Sequence, residues 1–279
     1  MAGMPVMLKA ALPLVPGVNL IPGVRKVGGS FEPISRDRAD IAVHPAHVAR
    51  YAAVCGFETR DQLPLTYIHM LAFPLHMDIM TSGEFPYPAI GTVHLRNAIH
   101  QIRPVTARET LDLSVTATNL RPHPKGKVFD MLATATSEGE TVWESTSTYL
   151  RLGKGDESAP VGESFDVIPG GGTQWRLPAN LGRKYGAVSG DMNPIHLYPI
   201  TAKALGFNRQ IAHGMWTKAR CVAAIATRLP DDITVEVEFK KPVFLPGTVA
   251  FGSRVVDSGI DFALTNPKSG APHLVGRSR

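Results

Sequence analysis

The chain has 279 residues, of which 44% are hydrophobic, and it carries a formal net charge of +5. This length allows one large domain or two domains of about 120–150 residues each, with enough apolar residues for packed cores. The cations are scattered without a long Lys or Arg run, which makes nucleic-acid binding a weak interpretation; the basic charge fits a small anionic ligand, such as a phosphate-bearing cofactor, equally well. The two cysteines, Cys55 and Cys221, lie among apolar residues and exclude a disulfide scaffold, so we expect reduced thiols in a cytoplasmic protein.

The N-terminal arm is assigned to residues 1–30, and its first 24 residues are apolar but are interrupted by prolines at positions 5, 13, 16 and 22. A secretory signal has a charged start and a clean apolar run, and a membrane span needs about 20 consecutive apolar residues. We therefore predict an irregular arm that packs on the body of the protein, without stable membrane insertion.

The first half is predicted to span residues 31–152. A short helix precedes a long helix at residues 66–80, and strands follow at 93–101, 111–120, 128–137 and 141–150. One long helix followed by consecutive strands predicts an α+β layer, in which an antiparallel sheet curls around the helix. Residues 153–172 are rich in Gly, Ser, Pro and acidic residues and are predicted to form a linker.

The second half, residues 173–279, has the same order of elements. Helices are predicted at 180–188, 199–205 and 213–228, and strands at 233–239, 248–256 and 261–264. Residues 190–196 are predicted to form a loop because Pro194 disfavours the α conformation at Asn193. Four alanines in the long helix, at positions 219, 223, 224 and 226, indicate close packing against a sheet. Four cations in the helices, at positions 183, 184, 218 and 220, are predicted to be solvated rather than to bind cofactor phosphates.

Short sequence matches indicate that the two halves are related. Val48–Gly56 and Leu181–Gly190 both place a tyrosine three residues before a valine, and then a small residue and a glycine. His69 and His213 both stand at the start of an apolar helical run. The chain is therefore predicted to contain a duplication.

The segment from Asp191 to His196 combines an acid, an amide, a rigid proline and an imidazole within six positions. An ionised carboxylate and an imidazole can hold one water molecule between them and move its proton. A regular helix through this segment is blocked by Pro194, so a folded-back loop must bring the two groups together. Gly214 can offer a bare backbone N–H at a helix N-terminus, where partial positive charge favours an oxyanion.

These residues resemble the signature of the MaoC-like hydratases and dehydratases, the (R)-specific enoyl-thioester hydratases. The match comprises Tyr185, Ser189-Gly190-Asp191, Asn193-Pro194, His196 and Ala212-His213-Gly214-Met215. The duplicated layout and the N-terminal arm resemble the double-hotdog 3-hydroxyacyl-thioester dehydratases of actinobacteria. The resemblance implies reversible hydration of a trans-2-enoyl thioester to the (R)-3-hydroxyacyl thioester, with Asp191 and His196 as the catalytic dyad.

The resemblance further implies that Gly214 lies at the oxyanion hole, and that Asn193, His213, Ser189 and Tyr185 shape the site. It implies no cofactor for the chemistry, a substrate carried on coenzyme A or an acyl carrier protein, and a homodimer without nucleic acid as a partner. No metal site is expected, because the spacing of the acid and the histidines matches no zinc pattern.

The first half departs from this pattern. Phe57 stands where the acid is expected, no Asn-Pro-x-His follows, and Met70 replaces the glycine. This half is therefore predicted to have lost the chemistry and to provide the acyl-chain pocket. His69 and His76 are predicted to be structural. The methionines at positions 70, 77 and 80 and Phe73 have core spacing or line that pocket.

Two alternative functions stay open at this stage. One is a hotdog thioesterase, which would hydrolyse the thioester. The other is a non-catalytic subunit that binds acyl thioesters. The intact Asp-x-Asn-Pro-x-His loop argues against both.

Overall fold

The computed structural model describes Lys26 and residues 28–279. Most of the predicted N-terminal arm therefore lies outside the described residues. Within the described residues, no helix is long and apolar enough to cross a membrane.

The first half of the chain forms five strands and two helices. Strand β1 (Ile34–Ala42) is followed by helix α1 (Pro45–Cys55) and the long helix α2 (Tyr67–Thr81). Four strands come next: β2 (Thr92–Gln101), β3 (Thr110–His123), β4 (Gly126–Ser137) and β5 (Glu140–Leu152). Helix α2 is apolar on nearly all sides and most of its residues are buried, as expected for a helix enclosed by a curled sheet.

The second half repeats this order. Strand β6 (Thr173–Leu177) precedes helices α3 (Leu181–Ser189), α4 (Pro199–Ala204) and α5 (Gly214–Ile225). Short 3₁₀ turns lie at Pro194–His196 and Ala226–Arg228. The remaining strands are β7 (Ile233–Phe239), β8 (Gly247–Val256), β9 (Gly259–Thr265) and β10 (Pro272–Ser278).

All ten strands belong to one antiparallel sheet with the order β1-β3-β4-β5-β2-β7-β10-β9-β8-β6. From one edge, the first half has the order β1-β3-β4-β5-β2. From the other edge, the second half has the order β6-β8-β9-β10-β7, so the corresponding strands of the two halves are arranged alike. The junction is the pair β2–β7, in which Asn97 lies opposite Val237. This is the double-hotdog α+β fold predicted from the sequence. The exact domain boundaries at residues 31, 153 and 173 stay predictions, although the predicted linker falls between β5 and β6.

The strand predictions were incomplete, because β1, β6 and β10 were not recognised. Both edge strands of the sheet are among them. Strand β1 carries four charged residues in nine and has a bulge, where Asp40 adopts a φ of +55°. Strand β6 has only five residues. Such short, charged or irregular edge strands limit edge-to-edge pairing, and they also lack a clear alternation of apolar and polar residues.

Of two sequence interpretations of helix α5, the one on its alanines holds only in part and the one on Lys218 was wrong. Among the alanines, Ala219 is fully buried, whereas Ala224 is exposed. Lys218 was expected to be solvated but is completely buried. Its ammonium donates to the backbone carbonyl and the side-chain Oδ1 of Asn97, at 3.1 and 2.6 Å, and to the carbonyl of Val235 at 2.9 Å.

Those three acceptors use all three donors of the Lys218 ammonium. Asn97 belongs to the first half and Val235 to the second, so Lys218 joins both halves to α5 at the centre of the sheet. The amide of Asn97 in turn donates to the hydroxyls of Ser145 and Ser147, at 3.0 Å each. Without these partners, burial of an ammonium would be strongly unfavourable. Both cysteines are free and buried, as predicted.

Candidate active site

The loop between α3 and α4 carries the acid and the imidazole of the sequence motif. Gly190 ends α3 with a φ of +76°, a left-handed conformation that favours glycine. The Oδ1 atom of Asp191 then accepts a hydrogen bond from the backbone N–H of Asn193 at 3.1 Å. The Oδ1 atom of Asn193 accepts one from the N–H of Ile195 at 3.3 Å and caps the 3₁₀ turn that holds His196. Asn193 therefore braces the loop, and Asp191 retains its Oδ2 atom for another partner.

Two glycines of α3, which the sequence interpretation missed, allow this loop to pack against the helix. A Cβ atom at Gly182 would lie 1.9 Å from the backbone oxygen of His196. A Cβ atom at Gly186 would lie 2.9 Å from the backbone oxygen of Asp191. The glycines stand four residues apart, and therefore on one face of the helix. Their spacing was the available signal, but nothing local in the sequence indicates which segment covers that face.

The imidazole of His196 is held in one tautomer. Its Nδ1 atom is 2.9 Å from the backbone oxygen of Ile211, and because a carbonyl can only accept, Nδ1 carries the proton. The Nε2 atom therefore keeps a free lone pair. Burial, together with the neighbouring His213, lowers the pKa of His196 to about 3, although Asp191 and the hydrogen bond to Ile211 act in the opposite direction. His196 is therefore a neutral base.

His213 is the residue that precedes α5, and its ring stacks on that of His196 with centroids 3.7 Å apart. Its Nε2 atom donates to the backbone oxygen of Asp191 at 2.9 Å and lies 3.9 Å from the Oδ2 atom of the same residue. Burial lowers the pKa of His213. This histidine therefore joins α5 to the loop that carries Asp191 and His196. The other two residues predicted to shape the site are buried beside it: Tyr185 packs its ring on His213 at 4.9 Å, and Ser189 accepts from the N–H of Asp191 at 3.2 Å.

Gly214 is the first residue of α5, where backbone N–H groups lack a partner within the helix. A Cβ atom at this position would lie 3.2 Å from the ring of Phe239. The glycine therefore permits close packing of the helix terminus against β7. Gly214 also lines the cavity, at the end of the helix where the backbone N–H groups are unpaired.

A cavity of about 360 Å³ connects these groups to the interior of the first half. The second half contributes Asp191, His196 and Gly214 to its wall, and Tyr185, Ser189, Asn193 and His213 line it too. The first half contributes the α2 residues Met70, Phe73, Met77 and Met80. All the sequence-predicted site residues thus line one cavity, together with the four side chains proposed for an acyl pocket.

The first half also provides a polar section of wall that the sequence did not reveal. His69, His94 and Tyr149 line the cavity, and the ring of His94 stacks on that of Tyr149 at 4.4 Å. The hydroxyl of Tyr149 is 3.4 Å from the Nδ1 atom of His76, which is completely buried. Burial lowers the pKa of His94 to about 3 and that of His76 to about 4. These two histidines are therefore neutral. Asp191 and Tyr149 line the same cavity from different halves.

Asp191, His196 and His213 also form a group whose ligand atoms all lie within 4.8 Å of one another. A metal ion could bind to such a set. The hydrogen bonds described above occupy Nδ1 of His196 and Nε2 of His213, so each histidine retains a single nitrogen for coordination. The expectation that no metal takes part stays a prediction.

Comparisons with known proteins show the family to which the chain belongs. Residues 177–270 match the family model described as the MaoC like domain. The chain is 38% identical over 273 residues to the 3-hydroxyacyl-thioester dehydratase X of Mycobacterium tuberculosis, covering 96% of this chain and 94% of that protein.

Solved structures extend the comparison. The crystal structure of HtdX from Mycobacterium tuberculosis superposes with a TM-score of 0.79 at 36% identity and covers 88% of this chain and 99% of that one. A MaoC-like dehydratase from Phytophthora capsici has a TM-score of 0.73 at 17% identity, covering 89% and 95% of the two chains, and shares the fold. The chain belongs to the family of MaoC-like dehydratases with the double-hotdog fold.

Proposed function

We propose that the protein catalyses the reversible addition of water to trans-2-enoyl thioesters, giving 3-hydroxyacyl thioesters, and is thus a hydro-lyase. The single observation that carries this proposal is the cavity in which a carboxylate, a neutral imidazole and a helix N-terminus face one apolar interior. The relationship to a 3-hydroxyacyl-thioester dehydratase supports the same reaction.

The proposed dyad is Asp191 and His196. The neutral Nε2 atom of His196 and the free Oδ2 atom of Asp191 hold one water molecule against C3 of the enoyl group. The dyad takes a proton from the water as its oxygen bonds to C3, and it returns a proton to C2. Each side chain therefore ends the turnover in its starting protonation state, and no cofactor is needed.

Negative charge develops on the thioester oxygen between these two proton transfers. The N–H of Gly214 is proposed to donate to that oxygen, because the first N–H groups of a helix are unpaired and lie at the positive end of its dipole. In comparable oxyanion sites, the loss of one donor raises the barrier by about 3–4 kcal/mol. Asn193, His213, Ser189 and Tyr185 are proposed to position the loop and the helix rather than to exchange protons.

The acyl chain is proposed to enter the first half, along Met70, Phe73, Met77 and Met80. Thioether side chains adapt to irregular apolar ligands, and these four residues lie on the cavity side of α2. This assignment gives the half without the catalytic loop a role in binding. The (R) configuration of the product is proposed from the family relationship alone.

A coupled assay distinguishes hydration from the alternatives. Crotonyl-CoA and 2-decenoyl-CoA are followed by the loss of enoyl absorbance, while free thiol is measured in parallel. Hydration without thiol release supports the proposal, whereas stoichiometric thiol release would identify a thioesterase. Binding of acyl-CoA without either signal would indicate a non-catalytic subunit.

The carrier, the assembly and the compartment belong to the same proposal. We expect the acyl group to arrive on coenzyme A or an acyl carrier protein, and the protein to act as a cytoplasmic homodimer. Light scattering of the purified protein determines its mass in solution.

A further inference from the structure

The outer side of the catalytic loop is unusually apolar and basic. Asp191, Asn193 and Ile195 line the cavity, whereas Met192 between them is 44% exposed. Beyond the 3₁₀ turn, Tyr198 is 49% exposed and Ile200 is 77% exposed. Three large apolar side chains are thus presented to solvent within nine residues of the loop. Clusters of this kind mark interaction sites, whereas scattered single exposures do not.

The charged residues of this region are almost all basic. Between residues 173 and 230, the single acidic residue is Asp191 inside the cavity, whereas seven cations occur besides the buried Lys218: Arg176, Arg183, Lys184, Lys203, Arg209, Arg220 and Arg228. Lys184 and Lys203 are exposed. Helix α1, which packs on α3, carries the exposed Arg50 and no acid. The segment 240–246, whose first residues line the cavity, begins with two lysines and contains no acid.

Arg183 contacts one residue of the exposed apolar cluster, Tyr198. The guanidinium of Arg183 lies 4.8 Å from the ring centroid of Tyr198 and donates to the backbone oxygen of Leu197 at 2.8 Å. This contact holds the tyrosine ring in place at the surface. An aromatic ring held under a cation, with the exposed Lys184 and Lys203 nearby in the sequence, is a pre-organised contact for an acidic protein surface.

We propose that Arg183, Lys184, Met192, Tyr198, Ile200 and Lys203 form a docking face for an acidic acyl carrier protein, which delivers the thioester to the adjacent cavity. This inference rests on the proposed function and names its carrier. The combination of three exposed apolar side chains with flanking cations is typical of a protein interface with an apolar centre and a charged rim, and it therefore favours a carrier protein over free coenzyme A. A second copy of this chain is disfavoured, because a two-fold contact would bring one basic face against another.

The test compares two substrates that carry the same enoyl group. 2-Decenoyl-CoA and the 2-decenoyl thioester of the acyl carrier protein from the same genome are assayed with the wild type, Lys184→Glu/Lys203→Glu and Ile200→Glu. The matched control is Lys268→Glu, an exposed lysine in the turn between β9 and β10. We expect both docking-face variants to lower kcat/KM for the carrier-protein substrate by at least about tenfold, since charge steering changes association by that order or more. The change with the coenzyme A substrate and in the control stays within about threefold.

Salt provides a second readout, because the advantage of the carrier-protein substrate is expected to decline as ionic strength rises. The inference is overturned if the variants slow both substrates equally or if the carrier-protein substrate is not used. It is also overturned if the variants instead lose binding to anionic lipid vesicles, or if they dissociate a dimer that the wild type forms. If neither substrate is hydrated by the wild type, the proposed function fails, and with it the basis of this inference.

Discussion

Tyr51 and Tyr185 occupy equivalent positions in the two halves, and their rings pack against each other with centroids 6.2 Å apart. The hydroxyl of Tyr51 donates to Oγ1 of Thr66 at 2.9 Å, within the core of the first half. Tyr185 instead lines the cavity and contacts His213. The duplicated residues have therefore diverged, one to support the core and the other to face the site.

The catalytic assignment of the loop predicts large losses from two small changes. Asp191→Asn retains an Oδ1 atom that can accept from the N–H of Asn193, so the loop should stay folded while the carboxylate is lost. We expect this variant and His196→Ala each to lower kcat for crotonyl-CoA hydration by at least about two orders of magnitude. Asp257→Asn, in an exposed turn, is the control. Near-normal turnover in either site variant would contradict the dyad.

The contact between Gly214 and Phe239 allows a double variant to test whether Gly214 is needed for packing, for catalysis or for both. In Gly214→Ala the new methyl group meets the ring of Phe239 at about 3.2 Å, so we expect a lower melting temperature and a lower kcat. Adding Phe239→Leu makes room and should restore the melting temperature. Activity should stay low, because the methyl group still obstructs approach of the thioester to the N–H. Full recovery of kcat in the double variant would assign Gly214 to packing alone.

Gly182 is predicted to be as sensitive as a catalytic residue, although it contacts no substrate. The methyl group of Gly182→Ala would overlap the backbone oxygen of His196, so the 3₁₀ turn must move away from α3. We expect kcat to fall and the free energy of unfolding to drop by about 1–3 kcal/mol. Gly171→Ala is the control, since its Cβ meets no atom within 4 Å. Equal behaviour of the two variants in chemical denaturation and in turnover would show that the loop does not need this close approach.

Chain-length selectivity is predicted to depend on α2. Met77 is nearly buried and lines the cavity, so Met77→Trp places a larger ring in the space assigned to the acyl chain. We expect kcat/KM for 2-decenoyl-CoA to fall by at least about tenfold relative to crotonyl-CoA, because a four-carbon acyl group needs less of this space. Crotonyl-CoA turnover is the internal control. If both substrates lose activity in parallel, the acyl chain does not pass this helix.

The buried His76 predicts a dependence of stability on pH. Burial lowers its folded-state pKa to about 4, against about 6.5 in the unfolded chain. Between these values the unfolded chain binds a proton that the folded chain does not, so the free energy of unfolding falls as pH falls from 6.5 towards 4. His76→Phe should reduce this slope by up to about 1.4 kcal/mol per pH unit. Urea denaturation at several pH values measures the slope, with the exposed His44→Phe as control. An unchanged slope in His76→Phe would refute the assignment.

The sequence predicted the site better than it predicted the sheet. Asp191, Asn193 and His196 are close in sequence, and Pro194 restricts how they connect, so their loop could be inferred locally. The bond from Lys218 to Asn97 spans 121 residues, and a lysine in a helix is ordinarily solvated. The need for glycine at position 182 arises from the oxygen of His196, which only the folded loop brings there. Edge strands such as β1 lack the alternation that identifies central strands.

The pairing of β2 with β7 has a consequence for how the protein behaves on dilution. The cavity takes its reactive groups from one half and its methionine wall from the other, and a continuous chain and sheet join the two. If the halves were separate subunits, the site would come apart at low concentration. Here the second half always meets its partner at the effective concentration of a tethered segment. The composition of the cavity is therefore independent of the protein concentration. The two halves can also evolve different side chains, because two identical halves cannot pair with each other in place of the correct partner.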